Sequence, residues 1–359
     1  MSRILAYTAP SRGQLYPLVP VLDELRRRDH EVALRTLAGE VGAMRSRGFD
    51  AGPISRRVEA LSMEDWRART AAGAQLRAMR TIRSRAPHDS RDLLRAIEDT
   101  RPDALIVDIL ATGALNAAAS WGGAWSCYRP FPLPPFPSVL KLLGIARALS
   151  TAPLHLCMSV PPFENRRTGW PPRIVMVGPC QWEPPGELPP SLADRPEPLV
   201  LITTSSEFQD DGRLVEVALE ALSDEPVHLV ATLPSAASKE LAAPANATIV
   251  RFAPHLPLLR RAVCAITHGG MGSTQKALAL GVPVCAVPFG RDQLEVARRV
   301  EASGAGTRLP ARRLRANRLR SKFLEAIRCR SGAERLARSF AAAGGAKAAA
   351  DALEERLLA

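Results

Sequence analysis

The sequence predicts an α/β protein built from two doubly wound domains. Short apolar runs alternate with amphipathic helical stretches from the first residues onward, which is the pattern of a parallel sheet covered by helices. A proline-rich stretch without periodicity, 181–198, interrupts this alternation, and the pattern restarts after it. We therefore predict a first domain over 1–180, a linker over 181–198 and a second domain over 199–345. A final helix within 346–359 is expected to pack back on the first domain.

The first domain is predicted to open as strand, helix, strand, helix, strand. Apolar runs indicate strands over 3–8, 30–36, 51–54, 104–108 and 173–179. Helical propensity and spacing indicate helices over 17–28, 39–47, 62–85, 90–99 and 138–149. The first of these has prolines near its start and arginines in its last turn, which both suit helix ends, and Arg101-Pro102 ends the helix over 90–99. The proline-rich run 129–137 and the stretch 153–174 are predicted to be irregular.

The second domain repeats the alternation. Its strands are predicted over 199–204, 227–232, 247–252, 263–266 and 282–288, because each is a short run rich in Val, Ile and Leu. Its helices are predicted over 213–223, 275–280, 293–303 and, at the end of the chain, 348–358. Gly281 is placed as the residue that stops the helix over 275–280.

Composition and charge restrict the class of protein. The chain has 359 residues, 46% of them apolar, which is enough for two cores. Its six cysteines are scattered without metal-ligand spacing, so we expect a reduced, cytoplasmic protein that binds no metal. No apolar run is long enough to cross a bilayer.

The net charge of +12 is concentrated in part in residues 308–330, where nine basic residues face a single acid. Solvated helix faces explain this simply, and attraction to anionic lipid or to acidic substrates is the alternative. Few aromatic residues interleave, so nucleic acid is not a predicted partner. Weak membrane association and a homodimer are both compatible with the sequence.

A glycine-rich turn, Thr267–Thr274, lies between a buried strand and a helix of the second domain. This arrangement directs backbone N–H groups and the positive end of the helix dipole at one edge of the sheet. Three glycines allow close approach of a bulky anion, and His268 and Ser273 add donors. A phosphate or a diphosphate is the natural ligand for such a turn; close helix–strand packing is the structural alternative. The spacing matches neither a Walker loop nor the dinucleotide fingerprint.

Four segments of the second domain follow one another in a recognisable order: FAPH at 252–255, HGGMGS at 268–273, PFGRDQ at 288–293 and GAG at 304–306. With them the chain resembles the family-1 glycosyltransferases, inverting enzymes of natural-product tailoring. The resemblance covers nearly the whole length. It implies the GT-B fold, in which two Rossmann-like domains face a central cleft.

The resemblance assigns the donor nucleotide to the second domain. It implies that Phe252 stacks on the pyrimidine base, with backbone groups near Ala253 and Leu256 at the base edge. It implies that Asp292 and Gln293 bind the hydroxyls of the transferred sugar. These residues also have structural alternatives, such as core packing for Phe252 and a helix N-cap for Asp292.

The diphosphate is assigned by the same resemblance to the glycine-rich turn. His268, the backbone amides near Gly270 and Gly272, and the Ser273 hydroxyl would hold it, and Ser206 would add a donor from the first turn of the second domain. These groups would stabilise the charge that develops as the diphosphate leaves.

The first-domain loop departs from the family pattern. Gly13, Gln14 and Tyr16 match the acceptor-side loop, but Gln14 stands where the family has the general-base histidine. Asp108, at the end of a predicted strand, matches the carboxylate that orients this histidine; a helix cap or loop carboxylate is its structural alternative. Three explanations remain open: Asp108 acts alone or through a water, the acceptor is itself acidic or nucleophilic, or the protein binds without catalysing.

A second departure lies in the donor segment. Many eukaryotic members carry a glutamate three residues after Ser273, which bonds both ribose hydroxyls, and this chain has Lys276 there. A deoxyribose lacks one of these hydroxyls, so dTDP-sugars are favoured over UDP-sugars as donors.

The resulting expectation is an inverting glycosyltransferase that needs no metal and no cofactor. It would move a sugar, a deoxyhexose by preference, from a dTDP- or UDP-sugar to a small-molecule natural product. The acceptor pocket would be formed by 11–16, 62–85 and 129–137. The alternatives are glycolipid glycosylation at a membrane surface and a non-catalytic nucleotide-sugar-binding partner protein.

Overall fold

A computed structural model describes residues 1–68, 70–131, 143–164, 170–193, 198–234 and 241–359. The chain divides into two compact units. The first consists of Met1–Pro161, Arg166–Trp182 and Ala343–Ala359, and the second of Pro162–Asn165 and Glu183–Ala342. The stretch predicted as a linker is therefore split after Trp182, and its remainder belongs to the second unit. Each unit contains one parallel sheet with helices, as the sequence predicts for a doubly wound α/β protein.

The sheet of the first unit is wholly parallel in the described residues. Its strands are β1 (Arg3–Tyr7), β2 (Glu31–Thr36), β3 (Asp50–Pro53), β4 (Ala104–Asp108), β5 (Ala124–Arg129), β6 (Leu154–Cys157) and β7 (Ile174–Met176), in the order β3-β2-β1-β4-β5-β6-β7. The order reverses direction between β1 and β4. Ligands of open α/β sheets bind at such a point, outside the carboxyl ends of the strands.

The helices of the first unit cover both faces of this sheet. They are α1 (Arg12–Leu15), α2 (Val19–Arg27), α3 (Ala38–Ser46), α4 (Arg56–Glu59), α5 (Ala71–Thr100), α6 (Thr112–Trp121) and α7 (Ala146–Thr151). A single 3-10 turn, Asp65–Arg67, precedes α5.

The prediction of two helices over 62–85 and 90–99 is wrong, because α5 is one helix of 30 residues that continues through Pro87. A proline inside a helix removes one backbone hydrogen bond. Helix α6 packs closely on α5 next to this proline: a methyl group on Gly113 would lie 1.7 Å from the Ala86 carbonyl oxygen, so the two helix backbones are in direct contact at this point. Close packing of this kind is a property of the tertiary structure, which the local sequence does not reveal.

One further prediction needs correction in the first unit. The stretch 153–174, predicted to be irregular, contains β6, whose four residues are all buried and too few to show a period. The last part of the helix predicted over 138–149 is observed as α7, which starts at Ala146. Residues 132–142, with most of the predicted proline-rich loop and the start of this predicted helix, lie outside the described residues.

The end of the chain belongs to the first unit. Helix α15 (Gly345–Leu353) and the π turn Glu354–Leu358 that follows it pack in the same core as α2. Arg28 at the end of α2 pairs with Asp351 of α15 at 2.8 Å.

The second unit repeats the doubly wound pattern. Its strands are β8 (Leu199–Thr203), β9 (His228–Thr232), β10 (Ala247–Val250), β11 (Ala262–Thr267), β12 (Val284–Ala286) and β13 (Gly306–Arg308), in the order β10-β9-β8-β11-β12-β13. Its helices are α8 (Pro190–Ala193), α9 (Arg213–Leu222), α10 (His255–Leu259), α11 (Met271–Ala279), α12 (Gln293–Ala302), α13 (Ala316–Ile327) and α14 (Arg330–Ala342), with a 3-10 turn at Ala311–Arg313. The direction of the order reverses between β8 and β11, and the glycine-rich turn follows β11.

The short segment 162–165 is part of the second unit although its neighbours in sequence are not. Phe163 packs edge-on against Phe340 of α14, with ring centroids 6.0 Å apart. Glu164 forms an ion pair of 2.8 Å with Arg299 of α12, and both side chains are almost completely buried. These two contacts hold the segment in the second unit.

The basic stretch 308–330 is largely the surface of α13. Leu319 and Phe323 of this helix are buried in the core of the second unit. Arg320 pairs with Glu225 at 2.6 Å, and the Arg320 side chain remains 54% exposed. The simpler interpretation of the charge, a solvated helix face, fits these contacts. Among the described helices, none is long and apolar enough to cross a membrane.

Candidate functional site

The glycine-rich turn places the start of α11 at the carboxyl edge of the second sheet. β11 ends at Thr267 and α11 begins at Met271, so the first-turn N–H groups of 271–273 have no acceptor within the helix. Gly269 has a φ of +84°, a left-handed backbone that glycine adopts readily. The Thr267 hydroxyl accepts a hydrogen bond of 3.0 Å from the Gly269 N–H, which fixes the turn.

His268 lies beside this helix start. Its ring is 7% exposed, and Nδ1 is 3.5 Å from the Thr203 carbonyl oxygen. Burial lowers the pKa of the imidazole, and the nearby Asp211 carboxylate acts in the opposite direction. A methyl group on Gly270 would lie 2.2 Å from Nε2, so this nitrogen faces the Gly270 backbone at the helix N-terminus. The side chain, the N–H groups and the dipole therefore converge on one anion-binding position.

Ser273 and Gly272, the other residues predicted here, also lie in the first turn of α11. The Ser273 hydroxyl donates to the Gly270 carbonyl at 3.2 Å, and a methyl group on Gly272 would contact nothing within 4 Å. The space beside Gly272 is thus open. Ser206 is exposed in the loop after β8, whereas its neighbour Ser205 is buried and donates its N–H to Asp211 at 2.6 Å.

Phe252 presents an aromatic ring to solvent in the same unit. It is 50% exposed, which is unusual for a phenylalanine and is what a stacking surface requires. Gly186 packs against it, because a methyl group on Gly186 would lie 2.9 Å from a carbon of the ring edge. The adjacent Ala253 is buried.

The backbone of Leu256 and His255 contacts a carboxylate. The Leu256 N–H donates to Glu183 at 3.0 Å, and the His255 N–H donates to the same carboxylate at 3.1 Å. The Leu256 carbonyl accepts from the Arg260 N–H at the end of α10, which leaves one of its two lone pairs. The assignment of Leu256 to the base edge stays a prediction, for which only its carbonyl still has a free position.

Asp292 and Gln293 lie at the start of α12 and differ in environment. Asp292 is half-buried and occupies the N-cap position without a capping side-chain bond, while burial raises its pKa. Gln293 is buried, and its side-chain Oε1 accepts from the N–H groups of Phe289 (2.8 Å) and Gly290 (3.0 Å). Gln293 therefore shapes the loop that precedes Asp292.

In the first unit the structure brings Gln14 and Asp108 together. Asp108 is fully buried at the end of β4 and accepts hydrogen bonds of 2.9 Å from the N–H groups of Ala9 and Leu110. With the Gln14 amide turned so that its nitrogen faces the carboxylate, it donates at 3.0 and 3.2 Å to the two Asp108 oxygens. Burial raises the pKa of Asp108 to about 7, although the two backbone N–H groups lower it in part.

The other residues predicted in this loop are placed differently. Gly13 lies in α1, and an added methyl group there would meet only the Ser11 hydroxyl, at 3.6 Å. The Tyr16 ring packs edge-on against Trp182 and its hydroxyl donates to Glu40 at 3.3 Å. Tyr16 is therefore engaged in packing within the first unit.

Three residues of interest were missed by sequence reasoning. Glu183 and Gly186 lie in the proline-rich stretch that is predicted to be a linker, where no periodicity indicates a role. Asp89 lies in the gap between two predicted helices; in the structure it is 1% exposed, and neither carboxylate oxygen has a hydrogen-bond partner among the described residues. Burial raises the pKa of Asp89 to about 7, the nearby Arg85 lowers it, and the Asp108 charge adds to the rise.

Comparisons with known proteins agree with the fold. Residues 216–355 match the family described as Erythromycin biosynthesis protein CIII-like, C-terminal domain. The solved structure of CalG4, a calicheamicin glycosyltransferase, superposes with a TM-score of 0.81 over 99% of this chain and 98% of its own, at 21% identity. The glycosyltransferase VinC, solved in complex with dTDP, superposes with a TM-score of 0.75 over 99% of this chain and 98% of its own, at 20% identity.

A curated relative extends the similarity to the sequence of the whole chain. The 4'-demethylrebeccamycin synthase of Lentzea aerocolonigenes is 30% identical in an alignment that covers 98% of this chain and 99% of the relative. At this identity and coverage, the chain belongs to the family-1 glycosyltransferases, GT-B-fold enzymes of the natural-product tailoring type.

Proposed function

We propose that this glycosyltransferase moves a sugar, by preference a deoxyhexose, from a dTDP- or UDP-sugar to a small natural product with inversion at the anomeric carbon. dTDP is the favoured nucleotide. The observation that carries the proposal is the convergence of His268, the first-turn N–H groups of α11 and the helix dipole on one position. In support, VinC is a glycosyltransferase of the same fold that was solved with dTDP, and the synthase relative is similar over its whole length.

The diphosphate is proposed to lie at the start of α11. Its two phosphates leave as the sugar bond breaks, so negative charge grows there in the transition state. N–H groups already fixed by the turn need no rearrangement to meet this charge, which is the condition for effective electrostatic stabilisation. His268 adds a donor through Nε2 when the ring carries a proton. These groups supply the charge stabilisation, so we expect turnover without an added divalent metal.

The base and the transferred sugar are assigned to neighbouring elements of the second unit. The exposed ring of Phe252 offers the stacking face for the pyrimidine, and Gly186 supports the ring edge. Asp292, at the N-cap of α12 and free of a capping bond, is proposed to accept from a sugar hydroxyl. Gln293 is proposed to act through the 289–290 loop that it holds.

The acceptor is proposed to bind by the first unit, near the Gln14–Asp108 pair. The acceptor oxygen attacks the anomeric carbon, its O–H bond breaks, and the diphosphate leaves in the same displacement. An amide cannot take the proton, so we propose that Asp108 receives it, directly or through a water, after the Gln14 amide moves aside. A pKa near 7 lets this carboxylate hold a proton transiently at neutral pH.

Calorimetric titration with dTDP and UDP tests the donor site. We expect micromolar binding, tighter for dTDP, that is weakened in His268→Ala and unchanged in the control His88→Ala. Burial lowers the pKa of His268 in the free protein. A bound dianion favours the charged form of the ring, so the His268 ring takes up a proton when the nucleotide binds. Affinity should therefore be higher at pH 6 than at pH 8. Absence of binding by either nucleotide would refute the proposed donor site.

A further inference from the structure

A buried ion pair lies among the donor-site elements of the second unit. The Lys276 ammonium of α11 is 2.8 Å from Oε2 of Glu183, and the two side chains are only 15% and 12% exposed. The same carboxylate accepts from the N–H groups of His255 and Leu256. One side chain thus joins the start of α10 to the middle of α11. Burial alone would raise the pKa of Glu183, but Lys276 and the two N–H groups outweigh it, so the pKa is lowered and the carboxylate is charged.

The position of this pair relates it to one part of a nucleotide. α10 begins three residues after Phe252, the proposed stacking ring, and Gly186 of the Glu183 segment touches that ring. Lys276 belongs to the helix whose N-terminus is the proposed diphosphate site. In a nucleoside diphosphate, the pentose connects the base to the diphosphate. The Glu183 carboxylate is held between α10, next to the proposed base site, and α11, at the proposed diphosphate site. It is therefore placed beside the pentose.

The hydrogen-bonding capacity of Glu183 supports a pentose contact. Oε2 accepts from the His255 N–H and the Lys276 ammonium, whereas Oε1 accepts, among the described residues, only from the Leu256 N–H at 3.0 Å. A carboxylate oxygen has two lone pairs, so Oε1 keeps one position for a further donor. A pentose hydroxyl is such a donor, and the ammonium at position 276 cannot accept from it.

On the basis of the proposed function, we propose that Oε1 of Glu183 accepts a hydrogen bond from the 3′-hydroxyl of the donor nucleotide, with Lys276 holding the carboxylate in place. The carboxylate that binds the pentose then comes from the stretch before β8 rather than from helix α11. One acceptor position suits one hydroxyl, which is what a 2′-deoxyribose offers. This makes Glu183 a specificity-determining residue for the donor.

A cycle of two nucleotides and two proteins tests this contact. dTDP and 3′-deoxythymidine 5′-diphosphate differ only in the 3′-hydroxyl, and their dissociation constants are measured by calorimetry for wild type and Glu183→Gln. We expect loss of the hydroxyl to weaken binding roughly 10- to 100-fold in wild type, as for a hydrogen bond to a charged group, and less than about threefold in the variant. Glu187→Gln, a change in the same stretch at an exposed position, should behave like wild type.

The outcomes separate this proposal from the donor site itself. If dTDP does not bind to wild type, the proposed function fails. If dTDP binds but loss of the hydroxyl costs the same in wild type and Glu183→Gln, only the Glu183 contact is refuted. Should Glu183→Gln not fold, the two nucleotides are compared on wild type alone, and equal affinities refute the contact.

Discussion

His268→Ala is expected to lower the rate of sugar transfer about 10²- to 10³-fold, the loss seen when one donor to a developing negative charge is removed. The ring lies beside the first turn of α11, and the change leaves the N–H groups of that turn in place. This rate is measured as the release of dTDP from a dTDP-sugar, with water or an alcohol as the acceptor. The released dTDP is quantified by chromatography.

The effects of His268→Ala on kcat and on KM are expected to differ. A donor that acts mainly on the leaving diphosphate affects kcat more than KM, because the interaction strengthens in the transition state. A variant with wild-type kcat would show that His268 takes no part in the chemical step. The control His88→Ala should leave both constants unchanged.

Gln14→His is expected to raise the rate of transfer to alcohols by about 10²-fold, at the lower end of what a general base contributes. The Gln14 amide already donates to both oxygens of Asp108. A histidine there can donate from one ring nitrogen to Asp108 and leave the other free to accept the acceptor proton. The rate should rise with pH up to the pKa of the new imidazole, because only the neutral ring is a base.

Two matched variants limit the interpretation of this gain. Gln14→Asn keeps an amide and should show no gain, and Gln14→His combined with Asp108→Asn should lose most of it. An unchanged rate in Gln14→His, with nucleotide affinity intact, would contradict the assignment of position 14 to the acceptor proton. It would then favour an acceptor that is acidic or nucleophilic enough to need no base.

Much of the architecture could be predicted because its signals are local. Buried parallel strands such as β4 and β8 are short continuous apolar runs. The glycine-rich turn was predictable for a similar reason. Gly269 needs a left-handed backbone and Gly270 gives room to the His268 ring, and both requirements appear in the sequence as glycine.

What could not be predicted depends on contacts between distant segments. Helix α5 continues through Pro87, and α6 packs closely on it at Gly113. Glu183 is fixed by three donors from α10 and α11. Its neighbours in sequence include several prolines and give no period. Irregular backbone that is fixed by such side-chain contacts has no local pattern to detect.

The most direct test of the donor site is a crystal structure of this protein with dTDP. The account predicts density for the diphosphate at the N-terminus of α11, with an oxygen within hydrogen-bond distance of His268 Nε2 and the thymine stacked on Phe252. It also predicts the 3′-hydroxyl beside Glu183. A nucleotide bound elsewhere, with the start of α11 empty, would contradict the account.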